Sequence, residues 1–273
     1  ILLAVLGLGM AIWILVDLDR RAGEMAHSTL HLSSGFAPPP VRVPSGIAVP
    51  GGFTDAYPSP SRSFTAVVST TENVVSPEVR VFRDRMVCGD SIYPYTSGGG
   101  MSGLPDTLVW LEGVSAGMAG YPTAVSLSNG GCSLWPHVSI AGIGTTLTIE
   151  NYLYTPEVLR VTLLDQGQQT VLDHVSLDEM STVTYMATTH TLTLDQPGLV
   201  RIQSMLRPWE IAFVLVCEHG YCGTTDWEGK YYFSGVPDGS YTLHAWHHLV
   251  GETTTPMTVH LGVEAQDFPV EFP

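Results

Sequence analysis

GCSLWPHVSIAGIGTTLTIENYLYTPEVLRVTLL, residues 131–164, and LVRIQSMLRPWEIAFV, residues 199–214, decide the fold. Apolar and polar residues alternate in short runs broken by Gly, Asn and Pro, which is the pattern of antiparallel strands that each turn one face to a core. In TTLTIE, Leu147 and Ile149 are expected to face inward and Thr146, Thr148 and Glu150 outward.

Working outward, FTAVVST from Phe64 and EVRVFRDRMVCG read as the first strands of the same barrel, and Thr107 to Leu111 as another. His174 to Thr193 supplies further strands, with Asp195-Gln-Pro-Gly198 as a turn. After Val216 the pattern changes to a smaller unit. TDWEGKYYFSGVPDGSYTLHAWHH, residues 225–248, sets turns at Asp226–Gly229 and Pro237–Gly239 between aromatic-rich strands.

These residues bear a family resemblance. Gly-Cys-x-x-x-Pro-His-Val at 131–138, Gly-Thr-Thr-Leu-Thr-Ile-x-Asn at 144–151, a following Pro, and Arg-Pro-Trp at 207–209 before an apolar strand resemble a family of periplasmic cupredoxin-like proteins. In that family a blue-copper-like barrel precedes a small carboxypeptidase-regulatory-like β-domain, and the Thr-Asp-x-x-Gly-x-Tyr and Gly-Val-Pro-x-Gly-x-Tyr signatures are similar to the latter. The resemblance runs from Cys88 to about the C-terminus. It implies a mainly β chain: an N-terminal transmembrane helix at 1–21, a linker at 22–63, a cupredoxin-like sandwich or barrel at 64–216 and a small prealbumin-like sandwich at 217–273.

Copper-binding relatives have a His shortly after the Asn-x-x-x-x-Pro step, then a Cys, a His and a Met around the later motif. Here those places are read as Leu159, Ser204, Arg207 and Glu210. A hydroxyl, a guanidinium and a carboxylate do not replace a thiolate and imidazoles at such a centre, so the scaffold is expected without its metal and with no cofactor. Arg207 and Glu210, three residues apart with opposite charges, are expected to pair. Disulfides are expected between Cys88 and Cys132 and between Cys217 and Cys222, and four cysteines in a β-rich chain point to an oxidising compartment.

The 273 residues carry a formal net charge of −15 and a single lysine, Lys230, which argues against nucleic acid as a partner. Ile1 to Val16 is uncharged and almost wholly apolar. As a helix it spans roughly 24 Å against a hydrocarbon core of ~30 Å. It reads as a membrane anchor, with Trp13 at the interface, Gly7 and Gly9 allowing close helix approach, and Asp17 to Arg21 marking the exit from lipid. Ser28 to Ser63 is a Pro, Gly and Ser linker that builds no core. The expected location is the inner membrane, single-pass, with the bulk in the periplasm and the bilayer and other subunits of a membrane complex as partners.

The Gly-rich stretch Ser97 to Gly103 lacks the Lys and helix of a phosphate cradle and reads as a surface connection. Gly113-Val-Ser115-Ala-Gly117 matches a nucleophile-elbow pattern, but Gly-Met-Ala-Gly-Tyr-Pro follows where a helix is required, so it reads as a turn. His244, His247 and His248 sit close in sequence; on a strand His244 and His248 share a face and His247 opposes them. With His137, His219 and His260 elsewhere, they read as surface or packed histidines without metal-finger spacing, and no C-x-x-C-H binds haem.

The function expected is therefore not enzymatic. It is that of a structural accessory subunit stabilising a membrane bioenergetic assembly, with a photosynthetic reaction-centre and light-harvesting complex as the assembly favoured. The other reading is a periplasmic copper-type electron carrier.

Overall fold

The computed structural model describes residues 54–55, 62–95, 98–100, 103–119, 124–165, 168–260 and 269–272. The expected anchor at 1–21, with Gly7, Gly9 and Trp13, lies outside them, as does nearly all of the linker at 22–63. Among the described residues no helix is long and apolar enough to cross a membrane. The described chain is mainly β, in agreement with the alternation in the sequence.

Residues 124–217 form one sandwich. Its five-stranded sheet runs in the order Val138–Gly142, Ile211–Cys217, Gly198–Ser204, Glu157–Asp165, Gln168–Leu177, and its four-stranded sheet in the order Thr188–Leu194, Thr145–Asn151, Ala124–Asn129, Leu134–Trp135. Leu147 and Ile149 are fully buried between the sheets with Leu127, Leu159, Val161 and Ile202, as the period-two pattern requires.

A second sandwich takes strands from both ends of the described chain. One sheet runs Cys222–Thr224, Leu108–Glu112, Gly239–His247, Gly251–Val259; the other runs Lys230–Val236, Arg62–Val74, Val270–Phe272, with Gly98–Gly100 also paired to Arg62–Val74. This corrects two readings. The stretch from Phe64 and the strand around Thr107 to Leu111 pair with the C-terminal unit and not with the first barrel, because alternation identifies a strand without naming its neighbour. Part of the Gly-rich stretch is itself a strand.

IAFVLVC explains how the two sandwiches join. Every residue of Ile211–Cys217 is buried, which is why the run is continuously apolar instead of alternating. Ala212, Val214 and Val216 enter the first core. Ile211, Phe213, Leu215 and Cys217 pack outward with Leu108, Trp110, Cys222 and Trp246 of the second sandwich. Burying each such side chain contributes roughly 1.5–3 kcal/mol relative to exposure.

The turn at Asp226–Gly229 forms as read. Asp226 Oδ1 accepts from the backbone N–H groups of Glu228 and Lys230 at 2.9 Å, and Gly229 adopts φ +74. A Cβ on Gly229 would meet Leu104 N at 2.5 Å, so this backbone approach admits glycine alone.

Candidate functional site

Four loops of the first sandwich meet at one end, since Asn151 pairs with Asn129 and Thr188, and Glu157 with Leu177. Residues from three of its strand ends converge there on a guanidinium. Arg207 is fully buried; its Nε donates to Glu210 Oε1 at 2.6 Å, its Nη2 to Glu157 Oε2, and its Nη1 to Asp84 Oδ2 at 2.7 Å and Thr155 Oγ1 at 3.1 Å. Asn129 Nδ2 bridges the two glutamates, 2.9 Å from Glu157 Oε2 and 2.8 Å from Glu210 Oε2. Ser204 Oγ donates to Glu157 Oε1 at 2.6 Å and accepts from the Arg207 N–H at 2.8 Å.

The expected Arg207–Glu210 pair is therefore present, and Ser204 stands beside it. Leu159 does not. It lies fully buried in the apolar core, while Glu157, directly after Pro156, reaches the cluster. Both residues point to the same face of one strand, and only the one nearer the loop end reaches the site. Glu157, Asn129 and Asp84 were missed in the sequence; the signal available for Glu157 was a carboxylate on the same strand face as the apolar Leu159 and Val161.

Burial works against charge on Arg207, but Glu210, Glu157 and Asp84 outweigh it and hold the guanidinium above its ordinary value. Glu210 goes the other way. Burial first and the Glu157 carboxylate second, against the pull of Arg207, push its carboxyl up to about 9, so at neutral pH it retains a proton.

A hairpin covers this end. Val79–Arg80 pairs with Ser91–Ile92, and between them lies the helical turn Arg85–Cys88, with Asp84 at φ 56. The Cys88–Cys132 disulfide fastens it to the sandwich. Phe82 packs edge-on against Trp209 at 5.3 Å, and Trp209 Nε1 donates to the Cys132 carbonyl at 3.2 Å. The second expected disulfide, Cys217–Cys222, joins the two sandwiches.

A blue-copper centre does not fit these residues. The donor set is a guanidinium, two carboxylates, an amide and a hydroxyl, without thiolate or imidazole. Among the described residues no group of three or more His, Cys, Asp or Glu is arranged to hold a metal ion. Around the loops Tyr152, Tyr154, Met205, Met86 and Phe82 are exposed.

The other motifs resolve locally. Ser115 precedes the short strand Ala116–Gly117, and a Cβ on Gly117 would lie 2.3 Å from Tyr221 Oη. His244 sits between Glu252, 2.9 Å from Nδ1, and Glu112, 2.8 Å from Nε2. The expected alternation fails at His248, because the strand ends at His247 and the chain turns. His248 instead lies 4.3 Å from the ring of His137 and 4.9 Å from that of His247.

No family model matches this chain, and no curated protein matches it. Solved structures similar to part of it include a mutant of amicyanin in its reduced state, 14% identical over 34% of this chain and 82% of that one with a TM-score of 0.28. A purple cupredoxin from Nitrosopumilus maritimus is 17% identical over 34% of this chain and 99% of that one, TM-score 0.28. A copper-containing nitrite reductase from Thermus scotoductus is 17% identical over 37% of this chain and 24% of that one, TM-score 0.28.

Proposed function

We propose that this chain is a non-catalytic binding subunit of a membrane assembly, built on a cupredoxin-like sandwich whose metal end is filled by a buried ion cluster. The observation that supports this is Arg207 held by Glu157, Glu210 and Asp84: an internal cation stands where soft ligands would be needed and leaves no donors for redox copper. The exposed Tyr152, Tyr154, Met205 and Met86 on the same loops suit docking to another subunit. The resemblance stated above favours a photosynthetic reaction-centre and light-harvesting assembly, braced from the periplasmic side.

Copper titration of the purified chain tests the reading. The expected result is no stoichiometric copper and no thiolate-to-copper absorption band. Tight one-to-one copper with such a band would favour the electron carrier. Deletion from the host is expected to loosen the assembly while electron transfer in intact complexes persists.

A further inference from the structure

Three histidines that the binding reading does not use meet where the two sandwiches join. His137 comes from the first sandwich, immediately before Val138–Gly142; His247 and His248 come from the end of Gly239–His247 and its turn in the second. All three are buried. They sit beside the apolar seam, with Phe213 4.9 Å from Trp246, 5.7 Å from His137 and 6.0 Å from His248.

Their hydrogen bonds fix the tautomers. His137 Nδ1 faces the Ile211 carbonyl at 2.9 Å, and a carbonyl only accepts, so Nδ1 bears the proton. In the neutral ring Nε2 then accepts, and His248 Nδ1 donates to it at 3.0 Å. The remaining His248 nitrogen, Nε2, is buried with no hydrogen-bond partner. His247 Nδ1 accepts from the Leu249 N–H at 3.3 Å. With all three rings uncharged these hydrogen bonds are all made, and His248 Nε2 is left as a buried acceptor.

We propose that this seam is an acid-sensitive latch between the two sandwiches, closed while His137, His247 and His248 are neutral and parted when they take up protons. The groups facing the rings oppose charge almost everywhere. Tyr95 lies 5.0 Å from His137 and 4.5 Å from His248, and burial pushes its hydroxyl up to about 12, so it stays neutral. Phe213 and Trp246 are apolar. Asp106 and the Ile211 carbonyl favour a charged His137, against a larger burial effect. Burial lowers all three histidines, His247 to about 3, and His137 and His247 disfavour charge on their neighbours further.

His244 shows the contrast within the same strand. It too meets burial, but Glu252 and Glu112 outweigh it and raise its value. The seam histidines have no such carboxylates hydrogen-bonded to them among the described residues.

The magnitude is large because three groups act together. Each ring freed to an ordinary value near 6.5 favours the open form about tenfold per pH unit below it, and three rings about a thousandfold. Each sandwich keeps its own core when the seam parts, and Cys217–Cys222 keeps them joined.

The test is a titration of the whole chain from pH 7.5 to 4, followed by histidine NMR, small-angle scattering and far-ultraviolet circular dichroism, alongside His247→Phe. Expected are three histidines neutral at pH 6, then a cooperative rise in scattering dimensions taking up two to three protons while the strand signal persists. In His247→Phe the step should lose about one proton and move to lower pH. Ordinary titration of the three rings near 6.5 with unchanged dimensions overturns the proposal. So does loss of the strand signal in the same step, or a variant whose step matches the parent. Copper binding bears on the proposed function and leaves this outcome unaffected.

Discussion

Arg207 Nε and Glu210 Oε1 lie 2.6 Å apart, and neither side chain has any solvent exposure. A contact so deep gains little net stability from its own attraction, because the cost of taking the guanidinium and the carboxyl out of water offsets it. Its consequence is asymmetry: removing one partner leaves the others buried without compensation. The cluster therefore fixes the arrangement of Glu157, Ser204, Arg207 and Glu210 more than it strengthens the fold.

Arg207→Met leaves Glu157 and Glu210 buried without their cation. The expected loss is about 3–5 kcal/mol, the range for breaking a buried pair from one side. Replacing Arg207, Glu157 and Glu210 together by Met, Leu and Leu removes the stranded carboxyl groups and should recover most of it. Urea unfolding of the parent and both variants checks this; equal losses in the single and triple variants contradict it.

Glu210 gives the pH dependence a sign. Its carboxyl is raised from an ordinary 4.5 to about 9, so the folded state holds a proton that the unfolded state releases. The stabilisation is fully present below 4.5 and is lost as pH rises from there through about 9. Glu210→Gln keeps an uncharged side chain at every pH. Relative to that variant, the parent's urea midpoint should decline between pH 6 and 9; parallel profiles would contradict a retained proton.

Strands were legible where one face is buried: Leu147 and Ile149 go inward because period two leaves them no alternative. Pairing was not legible, since the run from Phe64 is as consistent with one sandwich as with the other. The ion cluster was half legible. Arg207 and Glu210 stand three apart in one loop, but Glu157 lies 50 residues before Arg207 and Asp84 123 residues before it, and only folding brings them together. The histidine seam was hidden for the same reason, and because the strand ends one residue before His248.

The hairpin over the cluster depends on Cys88–Cys132, which closes a loop across a sequence separation of 44. Replacing both by Ala should cost about 4 kcal/mol in the chain-entropy description. It should also loosen the cover locally, so that Asp84 leaves Arg207. Hydrogen exchange is expected to rise at Val81, Val87 and Cys88 N–H groups, which bond within the hairpin, more than at the strand Ile211–Cys217. A uniform rise across both regions would show that the bridge acts on global stability alone.

The convergence of positions 157, 204, 207 and 210 also predicts what would introduce a metal. The copper-binding family that the sequence was read as resembling has a His, a Cys, a His and a Met in this order, and the structure brings Glu157, Ser204, Arg207 and Glu210 into contact while Leu159 stays in the core. The set Glu157→His, Ser204→Cys, Arg207→His and Glu210→Met replaces the charged cluster with two imidazoles, a thiolate and a thioether, the soft donors that copper favours. It also removes Arg207 together with its two buried acidic partners, leaving of the ion cluster only the partly exposed Asp84. The combined variant should bind one copper with an intense thiolate-to-copper band. A control that leaves Glu157 in place and carries Leu159→His instead should not, because its imidazole would replace a core side chain deeper in the strand. Equal copper binding by the two sets would show that the site lies at Leu159, and that Glu157 is only a neighbour.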